Sequence, residues 1–83
     1  MDTFIENIYK DMKREDKNIN LVPVGFGTYQ VYKKDKDIAY LRARPSKRLE
    51  IYIHNKDIES LFKKINFFDK CKEKEIRLIK SYH

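Results

Sequence analysis

The sequence predicts an α+β domain: an N-terminal helix, a three-stranded antiparallel sheet, and one or two C-terminal helices packed on one sheet face. Three observations carry this. Residues 29–54 alternate apolar and polar side chains in three runs separated by polar turns, the period-two pattern of half-buried strands. Residues 3–16 and 56–68 place apolar side chains three and four apart, the pattern of amphipathic helices. With 83 residues, 41% of them hydrophobic, the chain has material for one core, so residues 1–83 are expected to form a single domain.

The first helix opens on Thr3 and Glu6, which have the spacing of a capping box. Phe4, Ile5, Ile8 and Met12 share one face, and Asp11, Lys13, Arg14 and Glu15 are expected to face water. Residues 17–20 end the helix. Residues 21–28 contain Pro23, Gly25 and Gly27, which suits a turn or an irregular edge strand. No third glycine follows and no helical pattern opens there, so this is not a nucleotide-binding loop.

Strands are expected at 29–33, 38–44 and 48–54, joined by polar residues 34–37 and by a turn at 45–47 in which Pro45 sets the first corner. Asn55 is placed to cap a second helix at 56–68, with Ile58, Leu61, Phe62 and Ile65 on one stripe and Asn66 loosening its end. Residues 70–82 fit a third short helix, because Phe68, Cys71, Ile76, Ile79 and Tyr82 roughly keep helical spacing; a terminal strand over 76–82 is the alternative.

Side chains alternate across a strand, so the sheet divides into two sets. Tyr29, Val31, Ala39, Leu41, Ala43, Leu49, Ile51 and Ile53 form an apolar set that must face the core, with Leu41, Ile51 and Ile53 expected under Ile8, Leu61 and Ile65. The opposite set is Gln30, Tyr32, Ile38, Tyr40, Arg42, Arg44, Arg48, Glu50, Tyr52 and His54. Tyrosines interleaved with arginines on an open sheet make a stacking and phosphate-binding platform, because bases stack on aromatic faces and guanidinium forks hold phosphate. The same residue types also stabilise strands through cross-strand pairs without any ligand. Lys33, Lys34, Lys36 and Lys47 add a basic rim at the hairpin loops.

The charge distribution points the same way. The formal net charge is +6, but residues 1–28 carry four basic and five acidic side chains. Residues 29–55 carry seven basic against three acidic, and residues 56–83 eight against five, so the excess begins at the first of the three expected strands. A positive field attracts polyanions and speeds their association.

Residues 29–62 also carry a resemblance. The aromatic strand at 29–33, the apolar strand ending near Pro45, the basic turn at Lys47 and Arg48, the alternating strand at 48–53 and the helix through Phe62 resemble a small α+β domain of unknown function. That domain is found at the C-termini of restriction-type and predicted transport proteins, and residues 78–82 are similar to its last helix. An extra strand that the family places before the helix is missing here. The resemblance implies a nucleic-acid context by analogy alone and carries over no catalytic residue.

The remaining chemistry is sparse. One cysteine excludes an internal disulfide framework, and His54, Cys71 and His83 share no ligand spacing, so no metal or cofactor is expected. Cys71 between Lys70 and Lys72 suits a buried apolar position, Asp35 and Asp37 suit a solvated loop, and Glu50 among arginines suits an ion pair. No apolar run follows a basic start, and none approaches about 18 residues, so a cytoplasmic protein without a membrane partner is expected. The expected function is non-catalytic nucleic-acid binding, DNA or RNA, through Tyr32, Tyr40, Arg42, Arg44, Lys47, Arg48, Tyr52 and His54. The alternative is a viral or mobile-element interaction module that inhibits a host or defence protein with the same face, since Tyr and Arg are enriched at binding hot spots.

Overall fold

Helix α1 (Thr3–Glu15) starts where the Asp2 carboxylate accepts the free backbone N–H groups of Phe4, at 2.7 Å, and Ile5. Asp2 is therefore the cap, and Thr3, assigned that role from its spacing to Glu6, is the first helical residue. A carboxylate at this position also complements the positive end of the helix dipole. Ile5, Ile8 and Met12 are buried as their spacing requires. The computed structural model describes residues 2–82, so His83 lies outside the described residues.

The sheet is five-stranded and mixed, not the three-stranded antiparallel sheet that the alternating runs suggest. Strands β1 (Ile19–Gly25), β2 (Thr28–Lys33), β3 (Lys36–Arg44) and β4 (Arg48–Ile53) form an antiparallel meander, and β5 (Glu75–Lys80) pairs parallel to β4. The spatial order is β1-β2-β3-β4-β5, so β1 and β5 are the edges. In the sequence each is only one of two options, an irregular edge strand or a turn at 21–28 and a strand or a helix near the C-terminus, for the same reason. An edge strand is exposed on much of its surface and need not alternate cleanly. Only Ile19 and Leu21 are buried in β1, and no residue of β5 is fully buried. Pro23, which cannot donate to a ladder, is tolerated because β1 has a neighbour on one side only.

Helix α2 (Lys56–Lys64) is capped by the Asn55 side chain, which accepts from Asp57 N–H at 2.9 Å. It stops earlier than the helix expected over 56–68. Asn66 takes a left-handed conformation, φ 54°, which redirects the chain into the one-turn helix α3 (Phe67–Lys70). The redirection brings Phe67 flat against Phe62, with ring centroids 4.0 Å apart. Helices α2 and α3 together make the crossover that a parallel β4–β5 pair needs. The end of the chain is then pinned to α2: Lys80 and the Tyr82 hydroxyl both bind the Glu59 carboxylate. The Lys80 contact first, then that of Tyr82, holds this carboxyl below the usual range. The end of the 70–82 segment is thus the strand alternative, over Glu75–Lys80, and not a third helix across its length.

Ile5, Ile8, Met12, Ile58, Leu61, Phe62, Ile65 and Phe67 from the helices share one buried cluster with Val31, Ala39, Leu41, Leu49, Ile51 and Ile53 from the sheet. The helices therefore cover one sheet face. One residue crosses from its expected side. Ile38, assigned to the opposite face by alternation, is buried in the core beside Ala39. A bulge explains it: β3 slips by one residue against β2 between the Val31↔Ala39 and Tyr32↔Asp37 pairs, and Ile38 turns inward. Among the described residues no helix is long and apolar enough to cross a membrane.

Candidate functional site

The register across the uncovered face sorts its side chains into rows. In the central row Val22, Gln30, Tyr40, Tyr52 and Ile79 stand side by side from β1 to β5. Tyr40 and Tyr52 are direct cross-strand partners and meet edge to face, with ring centroids 5.4 Å apart and planes at 77°. Both are half-buried. In this arrangement the edge of one ring packs against the face of the other. Tyr32 belongs to the next row, toward the β2–β3 turn, where its hydroxyl donates to the Gln30 side chain.

The row on the other side reads Thr28, Arg42, Glu50 and Arg77. Glu50 is 9% exposed and sits between two guanidinium groups, Arg77 at 3.5 Å and Arg42 at 3.9 Å. This is the ion pair expected of Glu50. It also changes the role of Arg42, whose charge is already partnered within the sheet. Arg42 Nε and Glu50 Oε1 are both buried without a hydrogen-bond partner, so charge rather than a bidentate fork holds this row.

At the end of the sheet lies a third group. Arg44 and Arg48 are direct cross-strand partners, both exposed, and the turn between them carries exposed Lys47. Ser46 and Lys47 both have positive φ, 64° and 58°, which makes the turn tight. Glu75 is the register neighbour of Arg48 on β5, yet none of the ion pairs among the described residues involves Arg44, Lys47 or Arg48. The Lys47 carbonyl accepts from Glu75 N–H at 2.9 Å and ties this turn to the start of β5. On the helix side of the same end, Lys47, Lys70, Lys72 and Lys74 line a shallow cleft with Phe4 and Glu73. Lys74 Nζ lies 4.4 Å from the Phe4 ring centre.

Of the residues singled out from the sequence, the structure gathers Tyr40, Tyr52, Arg42, Arg44, Lys47 and Arg48 on neighbouring rows. His54 is elsewhere. Its Nδ1 lies 3.1 Å from Asp37 Oδ1 in the Tyr32 row, toward the opposite end from Arg44. The basic rim is likewise split: Lys33 is bound to Asp16 at 3.3 Å, and Lys34 and Lys36 lie at the β2–β3 turn, away from Lys47. Arg77, Lys72, Lys74 and the exposed Phe26 were missed. Arg77 follows once residues 75–80 are a strand, since its neighbours Ile76 and Leu78 then face the other way.

Cys71 is fully buried, and burial pushes its thiol up to about 11, so it is protonated and unreactive at neutral pH. Among the described residues no three His, Cys, Asp or Glu side chains converge as metal ligands would. No family model, curated protein or solved structure matches the chain.

Proposed function

We propose that the protein is a cytoplasmic, non-catalytic nucleic-acid-binding protein that holds a strand on its uncovered sheet face. Phosphates lie on Arg44, Lys47 and Arg48, and a base lies against the Tyr40–Tyr52 pair. One observation carries the reading: two arginines stand directly opposite each other, with a lysine between them in the turn, and none of the three is ion-paired to a carboxylate among the described residues. Like charges facing across a ladder disfavour folding. A polyanion relieves that repulsion, whereas water and salt only screen it. Arg42 contributes less than its place in the sequence suggests, because Glu50 occupies it. The alternative occupant, a partner protein, is supported by exposed Val22 and Val24 on the edge strand.

Fluorescence anisotropy with labelled single-stranded and duplex oligonucleotides decides between them. The expected result is binding that weakens steeply between about 50 and 200 mM salt. Replacing Arg44, Lys47 and Arg48 together by Ala should reduce the log–log salt slope by about one for each phosphate no longer neutralised, with a melting temperature no lower than the parent's. Absence of binding to both probes at low salt overturns the proposal. A shallow salt slope that the triple substitution leaves unchanged also overturns it, in favour of a protein partner.

A further inference from the structure

The most exposed large apolar side chain among the described residues is Phe26, 97% exposed, where the next is about half exposed. It sits at the tip of the β1–β2 hairpin between Gly25 and Gly27, and all three residues have positive φ: 97°, 52° and 70°. That conformation is costly for phenylalanine, and no burial of the ring offsets it. The tip is nevertheless fixed in place. Ala43 N–H donates to the Gly27 carbonyl at 2.8 Å, and a Cβ on Gly27 would meet the Ala43 carbonyl oxygen at 2.7 Å. The turn is thus pressed onto β3 one residue before Arg44, at the end of the sheet that carries the exposed Arg44, Lys47 and Arg48.

An aromatic ring held out by a hydrogen-bonded turn beside exposed positive charge matches a ligand that offers both anionic groups and planar apolar surfaces. Single-stranded nucleic acid offers both on every nucleotide, whereas a duplex keeps its bases stacked against each other. Because the turn is already ordered, little freedom is lost when a base settles on the ring. We propose that Phe26 is a base-stacking contact and that the protein takes unpaired strands in preference to duplex. This rests on the nucleic-acid reading above and adds to it the class of nucleic acid and a residue outside the Tyr/Arg rows.

The chain has six tyrosines and no tryptophan, so Phe26→Trp places the only indole at the tip, where red-edge excitation reads it apart from the tyrosines. Phe26→Trp should bind single-stranded oligothymidylate as tightly as the parent, with its emission quenched on binding. Phe26→Ala should bind that probe about 5- to 150-fold more weakly, the range of base–aromatic stacking, and should bind a duplex of the same length unchanged. Both variants should melt with the parent, since the ring touches no core. If the parent binds oligothymidylate and Phe26→Ala binds it equally well, this inference falls and the phosphate contacts stand. If the parent binds neither probe, the nucleic-acid reading itself has failed. A blue-shifted emission of Phe26→Trp on phosphatidylserine vesicles, without quenching by oligothymidylate, overturns the inference in favour of a lipid surface.

Discussion

The two faces of the sheet share strands, register and backbone, yet they follow different rules. On the covered face Val31, Ala39, Leu41, Leu49, Ile51 and Ile53 interlock with helix side chains in one cluster. Volume and shape decide what is allowed there, because close-packed interiors tolerate neither gaps nor added atoms. On the uncovered face, Arg44 opposes Arg48, and the nearly buried Glu50 is shared by two guanidinium groups while its Oε1 lacks a hydrogen bond. Neither arrangement contributes much to folding, since taking the Glu50 charge out of water offsets most of its attraction to the two guanidinium groups, and facing like charges are unfavourable. The contrast teaches where selection for stability ends: the covered face sets the register, and the uncovered face is free to carry side chains suited to a ligand.

The largest expected effect breaks the covered face. Ile51 is fully buried in the central layer, so Ile51→Ala should cost about 2–5 kcal/mol in urea unfolding, a large part of the stability of a domain this size. An unchanged midpoint would mean that the assignment of the two faces is reversed. A smaller effect is expected at the sheet end. Gly27→Ala strains a positive φ and forces a Cβ onto the Ala43 carbonyl, and should cost more than about 1 kcal/mol. Gly25→Ala, with open space around the same atom, should cost less. Equal losses would show that the turn is not pressed against β3.

The smallest effect sharpens the uncovered face. Glu50→Gln removes the charge that occupies Arg42 and Arg77 while keeping the side-chain shape. Affinity for a single-stranded oligonucleotide should rise, and the log–log salt slope should steepen by up to about 2, one for each freed guanidinium that reaches a phosphate. An unchanged slope would confine the interface to Arg44, Lys47 and Arg48.

Much of this was legible along the chain. The stripe of Ile5, Ile8 and Met12, the alternating strand through Leu49, Ile51 and Ile53, the Asn55 cap and the Glu50 ion pair all follow from neighbours within a few residues, or from one hairpin. Local period determines them because each helix or strand must bury one face whatever it packs against. The tertiary structure alone decided the rest. Strands β1 and β5 exist because the backbone of β2 and β4 offers unpaired groups to them, not because their own side chains alternate. Ile38 turns inward because a one-residue slip between β2 and β3 takes precedence over strict alternation. The left-handed Asn66 ends α2 where Phe67 can stack on Phe62. Arg77 reaches Glu50, and Gly27 in the Phe26 turn reaches Ala43, across separations of 27 and 16 residues that only the assembled sheet closes. Such contacts depend on which edges meet; Pro23 and the glycines near it can mark an edge, but the neighbour it pairs with is set by backbone hydrogen bonds that side-chain order does not specify.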